Sequence, residues 1–133
     1  MGKENKINIL LIEPDNLMAK IYTDAFNKNN LSVTHVNTAQ QAINAVNKYP
    51  DLIVLEIQLT EHSGIEFLYE LRSYDDLRNI PVIISTIIPL REFKQSLDKM
   101  INELNIVEYY QKDSTEISKL IKKINEVINE KRT

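Results

Sequence analysis

Pro50-Asp51-Leu52-Ile53-Val54-Leu55-Glu56-Ile57-Gln58-Leu59 is apolar without interruption from Leu52 to Leu55 and then meets a carboxylate. A strand with one wet face alternates apolar and polar residues, whereas a strand covered on both faces reads as a continuous run. Ile7 to Ile12 and Val82 to Ser85 have the same nearly unbroken character, and Val33 to Val36 and Ile106 to Tyr110 are shorter or more mixed Val- and Ile-containing runs. Five strands are therefore expected, with Leu52–Ile57 in the interior of the sheet.

Segments with helical spacing lie between and after these runs. Leu17, Met18, Ile21, Tyr22, Ala25 and Phe26 recur every three to four residues, as do Ala39, Ala42, Ile43 and Val46. Ile65, Leu68 and Leu71 continue the series. Leu90, Phe93, Leu97, Met100 and Leu104 form the next set, and Ile117, Leu120, Ile121, Ile124 and Ile128 the last. Asp15 and Thr38 are placed to cap the first two helices, and Ser114, with Glu116 near it, to open the last. Pro50 and Pro81 precede strands, where a missing N–H costs little. The repeated β-α order predicts a doubly wound α/β domain: a parallel five-stranded sheet with right-handed crossovers and helices on both faces. No linker or repeat interrupts it, and the last helical pattern runs to the end of the chain. One domain over 1–133, with no output domain after it, is expected.

With 133 residues, 16 basic and 19 acidic, the net charge is −3. That balance gives no electrostatic reason to expect nucleic acid or an anionic membrane as partner. The absence of cysteine excludes disulfides, thiolate metal sites and cysteine nucleophiles. Met1 to Lys6 is polar, and the six mostly apolar residues after it are too few for a signal peptide or a membrane span. Cytoplasmic residence follows by default. His35 and His62 lack metal-ligand spacing and read as surface residues. Lys119, Lys122, Lys123, Lys131 and Arg132 read as a solvated face that complements the last helix's dipole. Tyr109 and Tyr110 are consecutive on a strand and point to opposite faces, one expected buried and the other exposed.

Ligands of open parallel sheets bind at the carboxyl ends of the strands. Those ends carry Glu13, Pro14 and Asp15, then Glu56, then Ser85 and Thr86, then Lys112. Carboxylates suit a hard cation, and Thr and Lys suit phosphoryl oxygens. Any one of them has a bland reading as a polar strand end facing water, but four at corresponding ends make that reading much weaker.

Over nearly its whole length the chain resembles the response regulator receiver domain. Ile9-Leu10-Leu11-Ile12-Glu13-Pro14-Asp15 is similar to that family's first strand and acidic cluster. Pro50 to Leu59 is similar to its third strand and acceptor loop, with Gly64 at the family's glycine. Pro81-Val82-Ile83-Ile84-Ser85-Thr86 is similar to its fourth strand, with Thr86 as the Ser/Thr switch residue. Tyr109 and Lys112 match the aromatic switch and the fifth-strand lysine. The resemblance implies the flavodoxin-like strand order 2-1-3-4-5, a (βα)5 fold. It also implies partners among other signalling proteins, including self-association through the face of the fourth helix, fifth strand and fifth helix. Tyr110, with Ile87, Ile88 and Leu90, is expected to form an exposed apolar patch there.

The departures from the family pattern bear on mechanism. Glu56 stands where receivers carry the aspartate that accepts a phosphoryl group, and Pro14 where they carry a second metal-binding acid. Asp15 is acidic but one residue later. Asp113 replaces the proline that usually follows the lysine, and the stretch between Thr86 and Lys112 is a few residues longer than usual. A glutamate moves its carboxylate about one C–C bond forward, and about 1 Å of misplacement costs about 10²-fold in rate. Glu13, Glu56 and, by resemblance, the Gln58 carbonyl remain as ligands for a weakly held Mg²⁺ or none, and no other cofactor is expected. The leading expectation is a non-enzymatic pseudo-receiver that binds proteins. Whether Glu56 reaches Lys112 or Thr86 and imitates a phosphorylated state, or is a drifted residue without mimicry, is evenly balanced. The runner-up is a conventional receiver controlled by a histidine kinase. A nucleotide- or small-ligand-binding domain lacks support, because no glycine-rich loop follows the first strand and Gly2 and Gly64 are the only glycines.

Overall fold

The computed structural model describes residues 6–60 and 63–132, with the side chains of 93–97 and 100 left aside. Residues 1–5 and His62, together with the side chains of Phe93, Leu97 and Met100, therefore lie outside the described residues.

The chain alternates β1 (Ile7–Ile12), α1 (Asn16–Lys28), β2 (Leu31–Val36), α2 (Ala39–Ala45), β3 (Leu52–Leu55), α3 (Gly64–Arg72), β4 (Val82–Thr86), α4 (Lys94–Leu104), β5 (Ile106–Gln111) and α5 (Ile117–Arg132). All strand pairs are parallel, in the order β2-β1-β3-β4-β5. This is the (βα)5 architecture expected from the repeat of apolar runs and helical spacing. Strand limits differ from expectation by one or two residues. The largest change of meaning is at β3, which ends at Leu55, so that Glu56 and Ile57 lie just past it.

The unbroken apolar runs are explained by two cores. Leu10, Ile12, Ile53, Leu55, Val82 and Ile84 face one side, packed with α2, α3 and Leu104 of α4. Ile9, Leu11, Leu52, Val54 and Ile83 face the other, packed with Ala19, Tyr22 and Phe26 of α1 and with α5. Every residue of β3 is buried, whereas the edge strands β2 and β5 are largely half-buried. A fully buried aliphatic side chain contributes about 1.5–3 kcal/mol and a helix cap about 1 kcal/mol. The sandwiched central strands thus dominate the stability.

Caps then set where the helices begin. Asp15 Oδ1 accepts from the amides of Leu17 and Met18, and Thr38 Oγ1 from Gln41. Ser63 and Glu66 form a reciprocal capping box on α3. Ser114 does not open α5: it sits in a 3-10 turn, Lys112–Ser114, and the Glu116 carbonyl accepts from the amides of Lys119 (3.0 Å) and Leu120 (3.4 Å). The long stretch after Thr86 holds a 3-10 turn, Leu90–Phe93, ahead of α4. Arg72 of α3 anchors the far end of α4, donating to the carbonyls of Leu104 (2.8 Å) and Asn105 (3.3 Å). At the opposite pole of the sheet, Asp51 accepts from the Asn8 amide through its carboxylate and from Lys131 Nζ through its carbonyl. Arg132 lies 3.9 Å from the same carboxylate.

Candidate functional site

Parallel pairing delivers the candidate residues to one end of the sheet. The Glu13 amide donates to the Val36 carbonyl and the Glu56 amide to the Ile12 carbonyl, each at 3.0 Å. The ladder thus extends one residue past β1 and β3 and sets the two glutamates side by side. Thr86 ends β4, and Lys112 follows β5. Gly64 sits against the loop after Glu56. A Cβ there would stand 2.6 Å from the Ile57 Cα, so only glycine lets α3 start this close to the acceptor loop.

The side chains of Glu13 and Glu56 are each 3% exposed and that of Lys112 is 7% exposed. Lys112 Nζ lies 2.5 Å from Glu13 Oε1 and 2.7 Å from Glu56 Oε1. Burial alone would lower the pKa of this ammonium, but its hydrogen bonds and charge contacts with the two carboxylates outweigh that and raise it above 10.5. Glu13 Oε2 accepts from the Asp15 amide at 3.0 Å. Glu56 accepts four donors: Lys112 and the Ile87 amide (3.2 Å) at Oε1, the Gln58 amide (2.9 Å) and the Thr86 hydroxyl at Oε2. Thr86 Oγ1 in turn accepts from the Ile88 amide at 3.2 Å, and the Tyr109 hydroxyl donates to the Ile88 carbonyl at 2.7 Å. One network therefore runs from Glu13 through Lys112, Glu56 and Thr86 to Tyr109. Its buried polar atoms are satisfied among the described residues.

Asp15 is exposed and caps α1 as expected, and it also lines the cavity that Glu13 and Glu56 line. Several other expectations need correction. Tyr109 and Tyr110 do occupy opposite faces, but neither is exposed. Tyr110 is 9% accessible beneath α5, with Lys119 Nζ 5.8 Å from its ring centre, so it takes no part in a surface patch. Ile87 and Leu90 are exposed, whereas Ile88 packs partly on the core. His35 is half-buried rather than superficial, its Nε2 lying 2.8 Å from the Glu13 carbonyl. The basic face of α5 is partly engaged, through Lys123 with Glu108 at 3.8 Å and the ties to Asp51.

The residues missed in the sequence are backbone groups and second neighbours. The amides of Ile87 and Gln58 carry no side-chain signal. Asn37 Nδ2 joins His35 on the Glu13 carbonyl at 3.3 Å, and buried Tyr22 Oη lies 3.3 Å from Ser85 Oγ.

The donor set is a poor fit for Mg²⁺, which demands near-octahedral oxygens at about 2.0–2.1 Å. The two carboxylates that would supply it share one ammonium, Pro14 offers no side-chain oxygen, and Asp15 is occupied as a cap. No group of three or more His, Cys, Asp or Glu side chains suited to a metal occurs among the described residues.

The response regulator receiver domain family matches residues 9–125. The polar-differentiation response regulator DivK of Brucella anthropi is 31% identical over 80 residues, which cover 59% of this chain and 65% of that protein's own length. The receiver domain of a signal transduction histidine kinase from Syntrophus aciditrophicus superposes with a TM-score of 0.80 at 25% identity, covering 95% of this chain and 93% of that one. A CheY-like receiver domain protein from Methanospirillum hungatei has a TM-score of 0.81 at 19% identity over 96% of this chain and 98% of that one. The receiver domain of a Pseudomonas aeruginosa sensor histidine kinase, solved with a magnesium ion in its active site cleft, has a TM-score of 0.80 at 19% identity over 93% of this chain and 98% of that one.

Proposed function

The chain belongs to the response regulator receiver family, and from that premise we propose that it is a pseudo-receiver. In this reading it is a cytoplasmic protein-interaction module of two-component signalling, held in one switch arrangement by Glu56 instead of a phosphoryl group. The observation that supports this is the Glu56 carboxylate, bonded at once to Lys112, the Thr86 hydroxyl and the Ile87 amide. Catalysis of phosphoryl transfer consists of positioning donors around the transferred oxygens. Here donors suited to that task are already spent on a side chain. Hydrogen bonds to a charged group are worth about 1.5–3 kcal/mol each, so an incoming phosphoryl group would have to displace several of them. Mimicry is favoured over drift because the longer acid reaches Lys112 and Thr86 together.

The module acts by binding other signalling proteins and catalyses nothing of its own. Neither nucleic acid nor a membrane is a partner. The face of α4, β5 and α5 remains the place for self-association, without Tyr110 as its anchor. Incubation with acetyl phosphate and Mg²⁺, followed by intact mass, is the test. An unchanged mass is expected, and a phosphoryl adduct on Glu56 would overturn the reading. The conventional, kinase-driven receiver stands second, favoured by Thr86 and Lys112 at the matching strand ends.

A further inference from the structure

The sheet ends in two strands, β2 and β5, and they are guarded differently. An open edge offers unpaired N–H and C=O groups to any other strand, and proteins blunt such edges with charges, proline, bulges or cover. β5 has two of these devices. Its pairing with β4 slips by one residue between Ile106 and Glu108, and Glu108 sets a carboxylate on the strand, 3.8 Å from Lys123 of α5. β2 has no such device of its own. Its six residues, Leu31-Ser32-Val33-Thr34-His35-Val36, include no proline and no Lys, Arg, Asp or Glu. They also run beside β1 without a break in register from Leu31 to Val36.

One bond fixes which groups are free. The Val36 carbonyl accepts from the Glu13 amide and therefore faces β1. Backbone groups alternate sides along a strand, so Ser32, Thr34 and Val36 turn theirs inward, and Leu31, Val33 and His35 turn theirs outward. β2 pairs with β1 alone among the described residues, so no strand takes the outward groups.

This edge is complementary to itself. In an antiparallel pair centred on Val33, each Val33 opposes its counterpart, Leu31 opposes His35 of the second copy, and Ser32 opposes Thr34 of the second copy. The three outward residues then meet as hydrogen-bonded pairs. A β-branched pair and a Ser–Thr pair are favourable across strands, and like charges would be costly, but none meet here. The faces also agree, because Leu31 and Val33 both lie on the α1 side of the sheet. Such pairing consumes both β2 edges and leaves the two guarded β5 strands at the ends, so it closes at two copies.

We propose that two copies of this chain join antiparallel through β2, about a two-fold axis at Val33, into one continuous sheet. The seam is separate from the α4–β5–α5 face and does not depend on Glu56, so it goes beyond the pseudo-receiver reading. It is small, and the dimer is therefore reversible.

The test is sedimentation of the whole chain over a concentration series, with amide hydrogen exchange on the same samples. A monomer–dimer equilibrium is expected. Protection should grow with concentration at the amides of Val33 and His35, and stay constant at Thr34 and Val36, which already face β1. Thr34→Lys puts a charge at an exposed position of the seam. Val33→Pro removes an outward N–H without touching a bond to β1. Each is expected to weaken dimerisation at least about tenfold. Circular dichroism verifies folding, and Thr34→Lys alone decides if Val33→Pro does not fold. A chain that stays monomeric throughout, assemblies larger than two, unchanged dimerisation of folded Thr34→Lys, or new protection confined to β5 and α5 would each overturn the inference. A phosphoryl adduct on the wild type, with this dimer intact, would remove the pseudo-receiver reading and leave the β2 seam standing.

Discussion

The Tyr109 hydroxyl donates a 2.7 Å hydrogen bond to the carbonyl of Ile88. It thereby fastens β5 to the segment that follows β4. Ile88 is also tied through its amide to Thr86, and Thr86 to Glu56, so the ring reports on a carboxylate it does not touch.

Burial, then the charges of Glu56 and Glu92, push the Tyr109 phenol up to about 12 from 10.0. A phenol whose proton is held more tightly in the folded state adds stability below pH 10 and loses it as pH climbs toward 12. Glu56→Gln removes one of the charges and is expected to lower the Tyr109 transition. Ultraviolet titration checks this, with Tyr109→Phe to identify the signal. A transition unmoved by Glu56→Gln would sever the link between the two residues.

Lys112→Met is expected to destabilise the fold by about 3–5 kcal/mol, because it strands two buried carboxylates. Urea unfolding measures the loss. Adding Glu13→Gln and Glu56→Gln should recover a substantial part of it, since the penalty lies in unpaired charge. The raised ammonium of the wild type gives the same sign from another direction. Its contribution is complete below 10.5 and fades as pH rises beyond that value. A triple variant no more stable than Lys112→Met alone would refute the electrostatic account.

Mg²⁺ is expected to bind weakly, if at all, by titration calorimetry. Its ligands Glu13 and Glu56 would have to give up a shared ammonium at 2.5 and 2.7 Å. Tight one-to-one binding would mean that Lys112 swings away at little cost.

Restoring phosphorylation is expected to need Glu56→Asp and Pro14→Asp together. The first draws the carboxylate back by one C–C bond, and the second supplies the missing acid for the metal. Both act on one transition state and are therefore coupled rather than additive. In acetyl phosphate with Mg²⁺, the double variant should gain one phosphoryl mass and each single variant none. Efficient modification of Glu56→Asp alone would show that Asp15 leaves its cap to serve the metal.

Gly64→Ala is expected to cost about 1–3 kcal/mol as an overpacking change. Its Cβ would press on the Ile57 backbone at 2.6 Å, which is not a flexible side-chain end. Heteronuclear NMR should show the shifts concentrated at Glu56, Ile57 and Gln58. A variant as stable as wild type would mean the acceptor loop yields freely.

Legibility in the sequence tracked burial. Leu52 to Leu55 and Val82 to Thr86 are enclosed on both faces, so every residue is apolar or small and the strands are unmistakable. β2 begins two residues earlier than expected, at Leu31, because an edge strand tolerates a polar residue such as Ser32. The site's charged members were visible because their types and strand-end positions carry the chemistry. Its backbone donors were not, since any residue at 58 or 87 presents the same amide. Tyr110 misled because alternation states which face a ring takes, not what covers that face, and α5 covers it. His35 misled because its partner is a carbonyl 22 positions away in the chain.

The knot of contacts at Asp51 bears on the order of assembly. Asn8 lies in the first strand, Asp51 just before the third and Lys131 in the final helical turn, yet one residue joins all three. Their loops must close before that junction exists, and closure of distant segments is the slow part of building such a sheet. The β1–α1–β2 unit can gather from neighbours in sequence, whereas the Asp51 junction must wait for the last turn of α5. The end of α5 should consequently open to solvent exchange together with β1 and β3, not as a freely fraying helix end.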